Sequence, residues 1–161
     1  MNYIPYDVYM DMLDRGYELG TSDCYTIIRD VLEKAYGIVI PNYARPFNFD
    51  IPELDLFAKI HQEDFWHHLP VIDIKDMQAG DILSMKVRSP HDNVNHVGIY
   101  LGNQMFLHQL VNSKPREESL SPAWLRRIHL VSRHNEIETV KPKFSVIDLM
   151  PNYKKVLGYV E

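Results

Sequence analysis

The sequence predicts an α+β fold in which N-terminal helices pack on a small antiparallel sheet. The strongest helix-period apolar stripes fall within the first 37 residues, whereas hairpin and strand patterns cluster between residues 80 and 134. The size agrees, since 161 residues with 45% hydrophobic content suffice for one domain with a real core.

The elements follow in order. Pro5 suits the first turn of a helix over 5–15, where Tyr6, Tyr9, Met10 and Leu13 have helical spacing and Gly16 closes it. The second helix spans 23–36. Ser22 or Asp23 caps it, Cys24, Ile27, Ile28, Val31, Leu32 and Ala35 form its apolar stripe, and Gly37 stops it. "IVIPNYARP" leaves as an extended segment. "DIPELDLFAKIHQEDFWHHL" predicts one or two short helices, the second ended by Pro70. "MQAGDILSMKV" reads as a turn at Gly80 and a strand over 81–87, followed by the loop "RSPHDNV". "NHVGIYLGNQMFLHQLV" reads as a hairpin with strands 95–101 and 105–111 and a turn around Gly102-Asn103. "NSKPREESLSP" reads as loop, and "RRIHLVSRH" as a strand over 126–134. The domain thus covers 1–135, and residues 136–161 are expected to form a C-terminal arm or extension.

Composition narrows the function. A formal net charge of −5 and a pI near 5.9 argue against nucleic acid as the main partner, because no phosphate-neutralising excess exists. Arg126-Arg127 and Lys141–Lys143 are short, solvated basic patches. No stretch approaches the roughly 20 apolar residues of a membrane span. The start "MNYIPYDVYMDMLDRG" lacks the basic end and apolar run of a secretory signal, so synthesis in a cytoplasm is expected.

The chain has a single cysteine, which excludes an intramolecular disulfide or a multi-thiolate metal site. Cys24 is left as inert packing, a reactive thiol or an intermolecular link. Its stripe position puts it on the buried side of the helix, in the first turn, where unpaired N–H groups and the macrodipole favour an anion and predict a lowered thiol pKa. Packing competes with that reading, since free cysteines are commonly buried.

A nucleophile needs a base, and eight histidines are available. His61, His67 and His68 fall in or near a predicted helix, His91 in a loop, and His129 and His134 late in the chain. His96 opens the apolar strand "HVGIYLG", and Gly98 on the same face leaves room beside it. His96 is a candidate base or, equally, a core histidine satisfied by backbone. His108 on the return strand is the candidate that would orient its ring. A three-residue loop would set His108 opposite His96, and a five-residue loop would set it opposite Gly98 on the same face. A two-residue turn would move it to the other face and bring Gln109 opposite His96, which makes Gln109 the reserve orienter. The Cys24 backbone N–H and the Tyr17 phenol are candidate oxyanion donors. A metal protein using His91, His96, His108 and Cys24 is a minor alternative, without a tight ligand pair, and no cofactor or metal is predicted.

Together, "YELGTSDCYTIIRDVLEKAYGIVIP", "MQAGDILSM" and "NHVGIYLGNQMFLH" resemble the NlpC-type cell-wall cysteine peptidases, a papain-like family. "GIVIPNYARP" and "WLRRIHLVSRH" are similar to its branch in bacteriophage tail proteins. The likeness covers about residues 15–135. It implies Cys24 as nucleophile, His96 as general base, His108 as the orienting residue, Tyr17 on the oxyanion side and Asp23 as an acid that helps hold the substrate's free amine. It further implies hydrolysis of stem-peptide bonds in bacterial peptidoglycan. The expected partners are other phage tail proteins. The expected location is the host cytoplasm during assembly, then the virion tail, with action on the host wall. A structural tail component with a weak or vestigial site is the alternative. Tyr25 stands where the family commonly has a small serine, 45–72 resembles an insertion, and 136–161 has no clear counterpart.

Overall fold

The computed structural model describes residues 2–46, 57 and 65–139. Helix α1 (Tyr6–Tyr9) continues into a 3-10 turn (Met10–Met12) and is followed by α2 (Cys24–Tyr36), β1 (Trp66–His68), β2 (Ile82–Met85), β3 (His96–Gly102), β4 (Met105–His108), β5 (Arg116–Ser119), α3 (Pro122–Leu125), β6 (Ile128–His134) and α4 (Asn135–Thr139). The six strands form one antiparallel sheet in the order β1-β6-β2-β3-β4-β5. This is the α+β arrangement the sequence predicts.

Helix α2 forms because both ends are chemically closed. The Asp23 carboxylate accepts the Tyr25 and Thr26 amides at 3.1 and 3.0 Å, and the Thr26 hydroxyl accepts the Asp23 amide at 2.7 Å, a reciprocal capping box. Gly37 ends the helix at φ 69°, with its N–H on the Glu33 carbonyl and the Ile38 N–H on Leu32. The apolar stripe packs on one face of the sheet, joining Ile27, Ile28, Val31 and Leu32 to Ile82, Val97, Ile99, Leu101 and Leu107. The other face carries Leu83, Met85, Tyr100, Phe106 and Val131, with Trp124 and Leu125 against them. All seven residues of β3 are therefore buried, which is why that strand reads as a nearly continuous apolar run.

The β3–β4 hairpin has Gly98 opposite His108, Ile99 opposite Leu107 and Tyr100 opposite Phe106, then a bulge before Gly102 opposite Met105. The connection is Asn103-Gln104, both at positive φ (53° and 61°), the type I′ geometry that matches strand twist. The bulge at Gly102 restores the register that a plain two-residue turn would have shifted by one. Of the three registers open in the sequence, the structure has the one that sets His108 opposite Gly98, on the face of His96.

A buried fork joins β2 to β6. The Arg133 guanidinium donates to both Asp81 oxygens at 2.7 and 2.8 Å, giving the "GD" entry to β2 and the "SRH" end of β6 a shared purpose.

Several expectations are corrected. The first helix stops at a 3-10 turn instead of running to residue 15: Tyr9 and Met12 are buried, while Tyr6 and Met10 stay exposed, so its apolar spacing does not mark one buried face. Trp66–His68 is a strand rather than a helix, because it completes the edge of β6. The expected loop 112–122 contains β5, whose charged "REES" carries no apolar alternation and is ordered by pairing with β4. The return strand ends at His108 rather than at 111. Of the expected C-terminal arm or extension, residues 136–139 belong to α4, whose Ile137 is buried. The expected helices within 47–56 and 58–64, and residues 140–161 of the expected arm, lie outside the described residues.

Candidate functional site

Asp23 and Cys24 sit at the start of α2 and face the open end of β3. The β4 ladder ends at the Gly98–His108 pair, so the amide of Val97 has room for another acceptor. The Cys24 sulfur occupies that place, with the Val97 and Tyr25 backbone amides directed at it. The sulfur therefore lies beside the residue that follows His96 in the chain. Tyr17 is close enough that the charges of Cys24 and Asp23, after burial, raise its phenol above its ordinary pKa.

The expected low thiol pKa is not what the structure shows. Cys24 is only 7% exposed, and burial first, then the neighbouring Asp23 carboxylate, push the thiol up to about 12. The Val97 and Tyr25 amides and Arg45 work in the opposite direction but are outweighed. The helix start supplies donors, but a dry site beside a carboxylate penalises the anion more. Iodoacetamide at pH 8 is accordingly expected to alkylate native Cys24 far more slowly than urea-unfolded chain, read by intact mass. Equal rates would contradict a buried neutral thiol.

The two predicted histidines meet. His96 Nε2 lies 2.9 Å from His108 Nδ1, with the rings edge to face. Gly98, opposite His108 in the ladder, is closely packed: a Cβ there would come within 3.1 Å of the Leu107 carbonyl and 3.2 Å of Met85 and Phe106. His108 is wholly buried between the rings of Phe106 and Trp124, at centroid distances of 4.7 and 4.9 Å. Its Nε2 faces the Glu118 carboxylate at 3.5 Å, and Arg116 holds the other Glu118 oxygen at 2.6 Å.

Burial holds both imidazoles neutral. His96 is pushed down to about 3 by burial and then by His108, and His108 to about 4 by burial and then by Arg116. The unfolded chain takes up these protons near pH 6.5, the folded chain only near 3–4, so stability is lost as pH falls through that window. The expected slope is about 1.4 kcal/mol per pH unit for each imidazole. Urea midpoints at pH 7 and pH 5 check this; an unchanged midpoint would contradict it.

Asp23 is saturated by the protein. Besides its two cap bonds it accepts the Gly20 amide at 2.7 Å and the Arg45 Nε at 2.6 Å, in an ion pair with both side chains 1% exposed. Its carboxylate, expected to help hold a substrate amine, binds the guanidinium of "YARP". Arg45 was not picked out in the sequence, because nothing local ties it to a residue 22 positions earlier. Tyr25 points into the core, its hydroxyl donating to the Pro41 carbonyl. Gln109 braces the loops: its amide donates to the Gly16 and Ser113 carbonyls at 3.3 and 3.1 Å, leaving His108 as the residue on His96.

A cavity of about 440 Å³ opens beside His96, walled by Trp124, Leu110 and Val111 and carrying Arg88 and Arg127 at its rim. Arg127 stacks 4.6 Å from the Trp124 ring. No group of three or more His, Cys, Asp and Glu among the described residues is arranged to hold a metal ion. No helix among them is long and apolar enough to cross a membrane.

The profile of the NlpC/P60 family matches residues 14–133. The chain belongs to the NlpC/P60 family. Two curated relatives are the tail tip assembly proteins K of Escherichia phages lambda and N15. The lambda protein is 29% identical over 120 residues, 74% of this chain and 57% of its own length. The N15 protein is 24% identical over 130 residues, 80% of this chain and 51% of its own. The chain thus spans about half the length of the curated relatives it matches. Among solved structures, an NLP/P60 family lipoprotein-like protein of Staphylococcus aureus superposes with TM-score 0.53 at 24% identity, covering 81% of this chain and 40% of that one. NlpC1 of Trichomonas vaginalis gives 0.52 at 21%, covering 80% and 42%. These likenesses show the NlpC/P60 fold.

Proposed function

We propose that this chain is a cysteine peptidase that hydrolyses peptide bonds of bacterial peptidoglycan as part of a phage tail. The observation that carries the reading is the paired His96 and His108 at the open end of β3, with the Cys24 sulfur at the Val97 amide, one residue along that strand from His96. With Nε2 of His96 engaged by His108, its Nδ1 is the nitrogen left for the thiol.

Because thiol and imidazole both start neutral, the proton leaves sulfur as sulfur attacks. The Cys24 proton passes to His96 Nδ1 while the S–C bond forms at the scissile carbonyl. The Cys24 N–H and Tyr17 stabilise the oxyanion. The imidazolium then protonates the leaving amine as the C–N bond breaks; water, deprotonated by His96, attacks the thioester, and the C–S bond breaks as the imidazolium returns that proton to sulfur. The cavity beside His96 offers the substrate its approach, with arginines at the rim for carboxylates of a stem peptide. Association with other tail proteins follows from the likeness to the two tail tip assembly proteins, and implies assembly in the host cytoplasm and residence in the virion tail.

Incubation of purified peptidoglycan with the chain should release new free amines, with products identified by mass spectrometry. No release by folded chain, alone or with its tail partners, would reject the proposal. A second reading, a structural tail component with an occluded site, is favoured by the 7% exposure of Cys24. It predicts no release under either condition.

A further inference from the structure

Two buried atoms face each other on the side of His108 away from His96. Nε2 of His108 and Oε2 of Glu118 are 3.5 Å apart, and neither has a hydrogen-bond partner among the described residues. His108 is wholly buried and packed between Phe106 and Trp124, and Oε2 of the partly exposed Glu118 is itself buried. Glu118 is aimed there by its strand. Arg116 and Glu118 alternate on one face of β5, and Arg116 lies opposite His108 in the ladder and fixes the far oxygen of Glu118.

A neutral imidazole has one N–H and one lone pair, and an ionised carboxylate can only accept. We propose that Glu118 is a positioning residue that sets the direction of every proton in the site. The carboxylate draws the His108 proton to Nε2, which leaves His108 Nδ1 as an acceptor. His96 must then donate from Nε2, since only 2.9 Å separates that nitrogen from His108 Nδ1. The lone pair of His96 is thereby placed on Nδ1, the form a base needs toward the thiol. Without Glu118, each imidazole can reverse, and in the reversed arrangement His96 carries its proton on Nδ1. The chain Cys24–His96–His108–Glu118 is thus a one-way donor series anchored by Arg116.

This inference rests on the peptidase reading for its consequence, but its test does not. Nitrogen-15 spectra of histidine-labelled full chain at pH 7 distinguish protonated from bare ring nitrogens. The expected result is a proton on Nε2 and none on Nδ1 for both His96 and His108. Glu118→Gln, whose amide oxygen still accepts, should keep this pattern, and Glu118→Leu should mix or reverse it. In turnover, Glu118→Leu should lower kcat about 10- to 100-fold with KM unchanged, and Glu118→Gln should restore most of it. A wild-type His108 protonated on Nδ1 would overturn the inference, whether or not any variant folds. So would tautomers unchanged in a folded Glu118→Leu chain. The expected tautomers in a chain that hydrolyses no wall peptide would instead reject the peptidase reading and leave the proton arrangement standing.

Discussion

Cys24→Ala is expected to abolish the proposed wall hydrolysis and leave the fold intact. Removing the attacking atom of a concerted thiol–imidazole pair is expected to lower turnover by a factor of about 10⁴ or more, because the remaining donors stabilise an oxyanion that no longer forms. The structural cost is small. The sulfur lies at the edge of the core, and its loss costs about 1 kcal/mol. His96→Ala should be as inactive, and the double variant no worse than either, since the two residues act as one unit. Zymogram clearing and thermal unfolding of the three variants check this. Undiminished clearing by folded Cys24→Ala chain would exclude Cys24 as the nucleophile.

Asp23→Ala is expected to be the most destabilising single change near the site. Asp23 and Arg45 are both buried, and removing the acid leaves a guanidinium uncompensated, at a cost of about 3–5 kcal/mol. The same substitution removes the α2 cap, about 1 kcal/mol more. Against a typical stability of roughly 5–15 kcal/mol, the variant lies near unfolding. Asp23→Asn should keep much of the cap and still suffer the stranded charge, whereas Asp23→Asn with Arg45→Leu should recover a large part of the loss. Urea midpoints of the three variants separate cap from ion pair. Equal midpoints for wild type and Asp23→Asn would contradict a buried pair.

Much of this fold is legible in the sequence where side chains alone decide. The α2 stripe, its Asp23 cap and its Gly37 stop all appear in place, because capping chemistry and 3.6-residue periodicity are local. His96 and His108 could be named, but their meeting depended on a bulge at Gly102 whose register no local pattern fixes. What stayed hidden was long-range. Strands β1 and β5 carry "WHH" and "REES", which are strands only because β6 and β4 offer them an edge. Arg45 and Glu118 act on partners distant in sequence, and an arginine in "YARP" or a glutamate in "REES" reads locally as ordinary surface charge. The thiol pKa went the other way for a related reason: the helix start is visible in sequence, but the depth of burial and the Asp23 charge beside the sulfur are properties of the packed molecule.

The most direct test uses a stem peptide with an electrophile in place of its scissile carbonyl. Intact-protein mass spectrometry should find one adduct, mapped to Cys24, forming much faster than with iodoacetamide and lost in His96→Ala. A folded chain whose Cys24 stays unlabelled by this peptide, alone and with its tail partners, would contradict the account.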